Sequence, residues 1–137
     1  MNSRVKVISF GHRIPSELRE QFTKKYFSEA DFFEVRFNLI MTKELKPQVN
    51  KLVMDALILA DVGTQAPFII LPGVNVASVM VVSLIHGLTG RFPFIIELTK
   101  THDFPYSWRL KEVHDLDAVR SLGRDHRFPK FSPKKGV

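Results

Sequence analysis

The sequence contains no cysteine, which excludes disulfides, thiolate zinc sites and cysteine nucleophiles. It also lacks a long apolar run. The longest one inside an expected helix, Val76 to Ile85, falls well short of the ~20 residues that a membrane span needs. The opening Met-Asn-Ser-Arg-Val-Lys-Val carries no signal-peptide apolar region and no cleavage site. A soluble, cytoplasmic protein with no membrane partner is therefore expected. Neither a Walker phosphate loop nor a G-x-G-x-x-G fingerprint is present. His102, His114 and His126 show no metal-ligand spacing, so no metal and no cofactor are expected. No nucleophile, base and acid stand in a recognisable catalytic set.

What is present suits one domain. The chain has 137 residues, 45% hydrophobic and 25% charged, and at that length folding buries roughly two-thirds of the unfolded surface. The net charge is +6, which favours anionic partners. Much of the excess is local: Arg124 to Val137 holds five basic residues against Asp125 alone. This divides the chain into a Rossmann-like ligand-binding domain, 1–123, and a basic, flexible tail, 124–137. The tail segment Phe128-Pro129-Lys130-Phe131 mixes aromatic and basic residues, a composition that can stack on bases and pair with phosphates. A duplex-binding domain would show a denser basic stripe, so duplex DNA is not an expected partner.

Periodicity gives the order β-α-β-α-β-α-β-β-α. Val5 to Phe10 reads as a buried strand. Ser16 is the expected cap of a helix to about Tyr26, with Glu17 and Glu20 in its first turns. Phe33 to Ile40 reads as strand two. Pro47 opens a helix whose stripe Val49, Leu52, Val53, Ala56, Leu57, Ala60 is amphipathic. Pro67 to Leu71 is apolar on both faces, as a central parallel strand is. A helix from about Val76 to His86 is apolar almost all round and so is expected to be buried; Gly87 and Gly90 sit where left-handed C-terminal residues belong. Phe92 to Leu98 and Trp108 to Val113 are strands four and five, and Leu116 to about Leu122 is the last helix, capped by Asp115 or Asp117. Such alternation predicts an α/β, Rossmann-like three-layer domain. Its sheet is mainly parallel, in order 2-1-3-4 with strand five at the edge.

In that order strands one and three form the topological switch point, where open α/β sheets bind ligands. Two loops meet there. The first, Phe10-Gly11-His12-Arg13 leading to Ser16, brings a charge and an imidazole. The second, Pro72-Gly73-Val74-Asn75, leads into the third helix. The free N–H groups and positive end of that helix suit an anion. Gly73 lets backbone approach a ligand, Asn75 is a candidate cap, and Ser78 offers a hydroxyl one turn in. Pro72-Gly73 equally makes a plain turn, His12 a loop histidine with a structural hydrogen bond, and Arg13 a solvated side chain. His86, Gly87 and Gly90 lie at the far end of the helix, where termination explains them.

Several stretches resemble a known family. Leu84-Ile85-His86-Gly87-Leu88-Thr89-Gly90-Arg91-Phe92-Pro93 is similar to an L-x-H-G-x-x-G-x-F-P signature of short accessory proteins of type III CRISPR systems, the Csx-fifteen family. Ile69-Ile70-Leu71-Pro72-Gly73, Phe10-Gly11-His12, Trp108-Arg109-Leu110 and Asp115 to Arg120 also fit, and the similarity spans roughly Val5 to Leu122. The family often follows the loop histidine with proline and then threonine; this chain has Arg13-Ile14-Pro15-Ser16 instead. The resemblance implies a role in antiviral defence: recognition of cyclic oligoadenylate, above all cyclic tetra-adenylate, by a homodimer or higher homo-oligomer similar to CRISPR-associated Rossmann-fold sensor domains.

Three functions follow as expectations. The first is a binding module that sequesters the ring and damps signalling. The second is a metal-independent ring nuclease, with His12 as general base and Arg13 stabilising developing charge, leaving 2′,3′-cyclic phosphate ends. The third is a general nucleic-acid-binding subunit that uses the basic tail.

Overall fold

The computed structural model describes residues 4–26 and 29–127. Its elements run β1 (Val5–Phe10), α1 (Ser16–Lys25), β2 (Ala30–Val35), α2 (Leu45–Leu59), β3 (Phe68–Ile70), α3 (Asn75–Thr89), β4 (Phe94–Lys100), β5 (Trp108–Asp115) and α4 (Leu116–Asp125). The sheet order is β2-β1-β3-β4-β5, with parallel pairing except for the antiparallel β4–β5 pair. This is the expected Rossmann-like α/β fold.

Alternation along the strands builds two cores. Ile8, Phe10 and Ile69 face α2 and α3, where Val49, Val53, Ala77, Val81 and Ile85 meet them. Val7, Phe68, Ile70 and Ile96 face α1, which supplies Leu18 and Phe22. The helices thus lie on both faces of the sheet. α1 also buttresses the edge: the Leu110 N–H donates to Gln21 Oε1 at 2.8 Å.

Several expected boundaries move. Strand two starts at Ala30 and stops at Val35, rather than spanning 33–40, because β1 is its only partner and Phe10 pairs with Val35. Beyond that pair the alternation at Arg36 and Phe37 has no strand to meet. Strand four begins two residues late, since Pro93 has no N–H for the ladder, and its antiparallel partner extends it to Lys100. Pro15 occupies the cap position of α1 and Ser16 is its first residue, without a side-chain cap. Val74, not Asn75, caps α3.

α3 departs most from expectation. It runs on to Thr89, so Gly87 lies inside it, and only Gly90 takes the left-handed conformation, at φ +79°. One face is buried, but Val76 and Val79 are 57% and 67% exposed. No element covers the outer side of this helix among the described residues. α4 extends to Asp125, so the first two residues assigned to the tail are helical. Asp115 caps it, accepting from the Asp117 and Ala118 N–H groups, as expected. Of the tail, 128–137 lies outside the described residues.

Candidate functional site

β1 ends at the switch point, and a set of hydrogen bonds fixes the loop that follows. The Gly11 N–H donates to Val35 O at 2.8 Å, and Gly11 itself has φ +88°, a conformation that favours glycine. The fully buried Ser9 hydroxyl donates to His12 O at 2.7 Å. The Ile14 N–H donates to Glu34 Oε2 at 2.7 Å, and Arg19 bridges Glu34 and Ile14 O. The backbone is thus anchored on both sides of His12 and Arg13, while both side chains stay exposed. Neither side chain has a partner among the described residues. The loop backbone is therefore held in place, while the functional groups it carries are free to move.

The second loop stands beside the first because β3 pairs with β1. No described side chain caps α3, so the first N–H groups of the helix, those of Asn75, Val76 and Ala77, have no acceptor among the described residues. The carbonyl of Val74 already takes the Ser78 N–H. Gly73 is exposed, and a Cβ there would meet nothing within 4 Å. The fold therefore does not require glycine at this position; its effect is to keep the approach to the helix end open.

The expected site residues divide into two groups. Gly11, His12, Arg13, Gly73 and Asn75 lie exposed at the two loops. Phe10 is buried in the core against Phe37, ring centroids 5.7 Å apart, and presents no surface to a ligand. Pro72 is buried, and its carbonyl accepts the Ser78 hydroxyl at 2.9 Å, so these two shape the loop. Ser16 is exposed at the start of α1.

Two hollows flank His12 and Arg13. One, of about 450 Å³, continues along the end of β2 to Arg36 and Asn38. Arg36 has no partner among the described residues, so it is a second free cation on this rim. The other, of about 330 Å³, is the more apolar. It runs past Leu71 and Leu98 to Trp108, with Glu97 and His114 in its wall. Sequence reasoning missed Arg36 because it read as a strand residue. It missed Trp108 as a site residue because 96 positions of chain separate it from His12. A larger hollow of about 620 Å³ lies at the opposite, N-terminal end of the strands, but Arg4 and Lys6 in its wall are engaged with Asp31.

Glu97, Glu112 and His114 offer three ligand atoms within 4.8 Å of one another, a spacing that a divalent cation can bridge. They come from two antiparallel strands, so local sequence spacing could not display them. Protein groups already serve this cluster. His114 lies 2.8 Å and Lys111 3.3 Å from Glu97, and hydrogen bonds from these two, His114 first, hold its carboxyl below the usual range. At the far end of α3, His86 stacks on Phe92 at 4.0 Å and its carbonyl accepts the Gly90 N–H, a scaffold role.

Fold and rim together define a Rossmann-like α/β domain with two free cations and an uncapped helix start at its switch point. Comparison of the chain with family models, with curated proteins and with solved structures finds no match in any of the three. No described helix is long and apolar enough to cross a membrane.

Proposed function

We propose that this protein binds cyclic oligoadenylate, cyclic tetra-adenylate above all, and sequesters it. The observation that carries this reading is that exposed Arg13 follows β1 and the uncapped start of α3 follows β3, the strand paired with it. Arg36, on the same rim, adds a second cation. Backbone N–H groups and guanidinium groups are the donors that phosphate oxygens seek. The resemblance to the type III accessory family supplies the identity of the phosphate ligand.

A symmetric ring calls for a symmetric receptor, and a two-fold dimer presents the same donors twice. Two features favour a dimer. The outer side of α3 carries Val76, Val79, Ser83 and Gly87, and the whole helix has no Lys, Arg, Asp or Glu. α4 is amphipathic yet buries none of its residues, leaving Val119 and Leu122 exposed. A ten-residue helix is marginal in water without tertiary packing. A second copy supplies an apolar surface for both.

The enzymatic alternative rests on His12, an exposed imidazole beside Arg13. Long incubation of the purified protein with labelled cyclic tetra-adenylate, followed by chromatography, separates the two readings. Recovery of intact ring is the expected result. Linear products ending in 2′,3′-cyclic phosphate would establish the nuclease instead, and their loss in His12→Ala would assign the base.

A further inference from the structure

We infer that the cavity between the β1 loop and the β4–β5 pair is a nucleobase slot, with Trp108 as its stacking platform and Glu97 as the acceptor for an exocyclic amine. The inference rests on the phosphate-ligand reading above and assigns a second, separate part of the ligand. The cavity volume of about 330 Å³ lies at the lower end of small-ligand pockets. It shares His12 and Arg13 with the cation-bearing rim. A nucleotide phosphate held by Arg13 therefore has an apolar recess within reach of its own base.

Trp108 is the only tryptophan in the chain and is 51% exposed. A half-exposed indole buries little apolar area in the fold, but it presents a π-face on which a base can stack. Leu71 and Leu98 supply further apolar wall. Two further aromatics precede β5: Phe104 and Tyr106 are 84% and 57% exposed, their ring centroids 6.0 Å apart, with Lys100 Nζ 4.8 Å from the Tyr106 ring.

The polar wall adds selectivity. Hydrogen bonds from His114 and Lys111 hold the Glu97 carboxyl below the usual range and use only part of its acceptor capacity. An ionised carboxylate accepts an exocyclic amine and repels a carbonyl oxygen. The sheet is distorted at this point: the β4–β5 register shifts between Glu97 and Leu98. Bulges of this kind re-aim side chains next to binding sites. Adenine carries the matching amine, whereas hypoxanthine has a carbonyl in its place.

The lone tryptophan makes the test direct. The fluorescence of the wild-type protein is titrated with adenosine monophosphate, inosine monophosphate and ribose 5-phosphate. Saturable quenching by adenosine monophosphate is expected, with at least fivefold weaker apparent affinity for inosine monophosphate and at least tenfold weaker for ribose 5-phosphate. In retention assays with cyclic tetra-adenylate, Trp108→Ala is expected to lose about tenfold in affinity and Trp108→Phe to keep most of it. Equal affinities for the three monophosphates, or full affinity in Trp108→Ala, would overturn the slot. Ring retention by the wild type alongside either of those results would leave the phosphate reading standing. Loss of ring binding with the fluorescence response to adenosine monophosphate intact would overturn the ring reading alone.

Discussion

Arg13 and Arg36 carry the charge of the rim, and neither is needed to hold the fold. Arg13→Ala and Arg36→Ala are expected to weaken ring binding roughly tenfold or more each, the scale of a charge-assisted hydrogen bond of ~1.5–3 kcal/mol. Thermal melting should leave both variants at wild-type stability. Ser9→Ala acts differently. It removes a buried donor and leaves the His12 carbonyl without it, so a loss of ~1–3 kcal/mol in urea unfolding is expected. Asp31 gives a pH dependence. Hydrogen bonds from Arg4, then Lys6, lower its pKa, so its stabilisation is complete above the ordinary carboxylate pKa of ~4 and is lost as the pH falls through the lowered value. Solvent limits the effect to under ~1 kcal/mol. Melting temperatures of wild type and Asp31→Asn should converge as the pH falls below ~4. The sequence displayed Arg13, His12 and Gly73 because loops at a switch point follow from strand order alone. It did not display the burial of Phe10 or the bond from Ser78 to Pro72, because both depend on tertiary packing.

Among the elements, α3 matters most. Its inner positions Ala77, Val81 and Ile85 are fully buried, so Ile85→Ala should cost ~2–5 kcal/mol in chemical denaturation. Its outer positions contribute little to a lone chain, and Val79→Asp should leave the unfolding free energy of the monomer within ~0.5 kcal/mol. Apolar periodicity showed that the helix exists but not which sides are covered. A helix that is apolar all round signals burial, and here the described residues cover only the sides facing the sheet and α2. Strand two shows a similar limit. Alternation continued through Phe37, but pairing ended where β1 ended, and a partner's length cannot be read from one strand's own pattern. The sheet order placed Trp108 and Glu97 around one cavity with His12 and Arg13, 84 to 96 positions away in the chain, which local pattern does not encode.

The whole molecule is a basic domain whose rim and outer helical faces ask for different partners. On the proposed reading the rim takes an anion and the outer faces of α3 and α4 take a second copy of the chain. If both readings hold, ring binding and self-association are coupled, and Val79→Asp should make the protein monomeric in sedimentation and weaken ring binding together. Raising the salt concentration should weaken binding of the tetra-anionic ring more than dimerisation, because screening acts on charge and not on apolar contact. Co-elution of purified wild-type protein with labelled cyclic tetra-adenylate on a sizing column tests the central claim most directly. At micromolar protein the ring should travel with the protein, intact and at one ring per two chains. A ring that elutes free under those conditions would contradict the account.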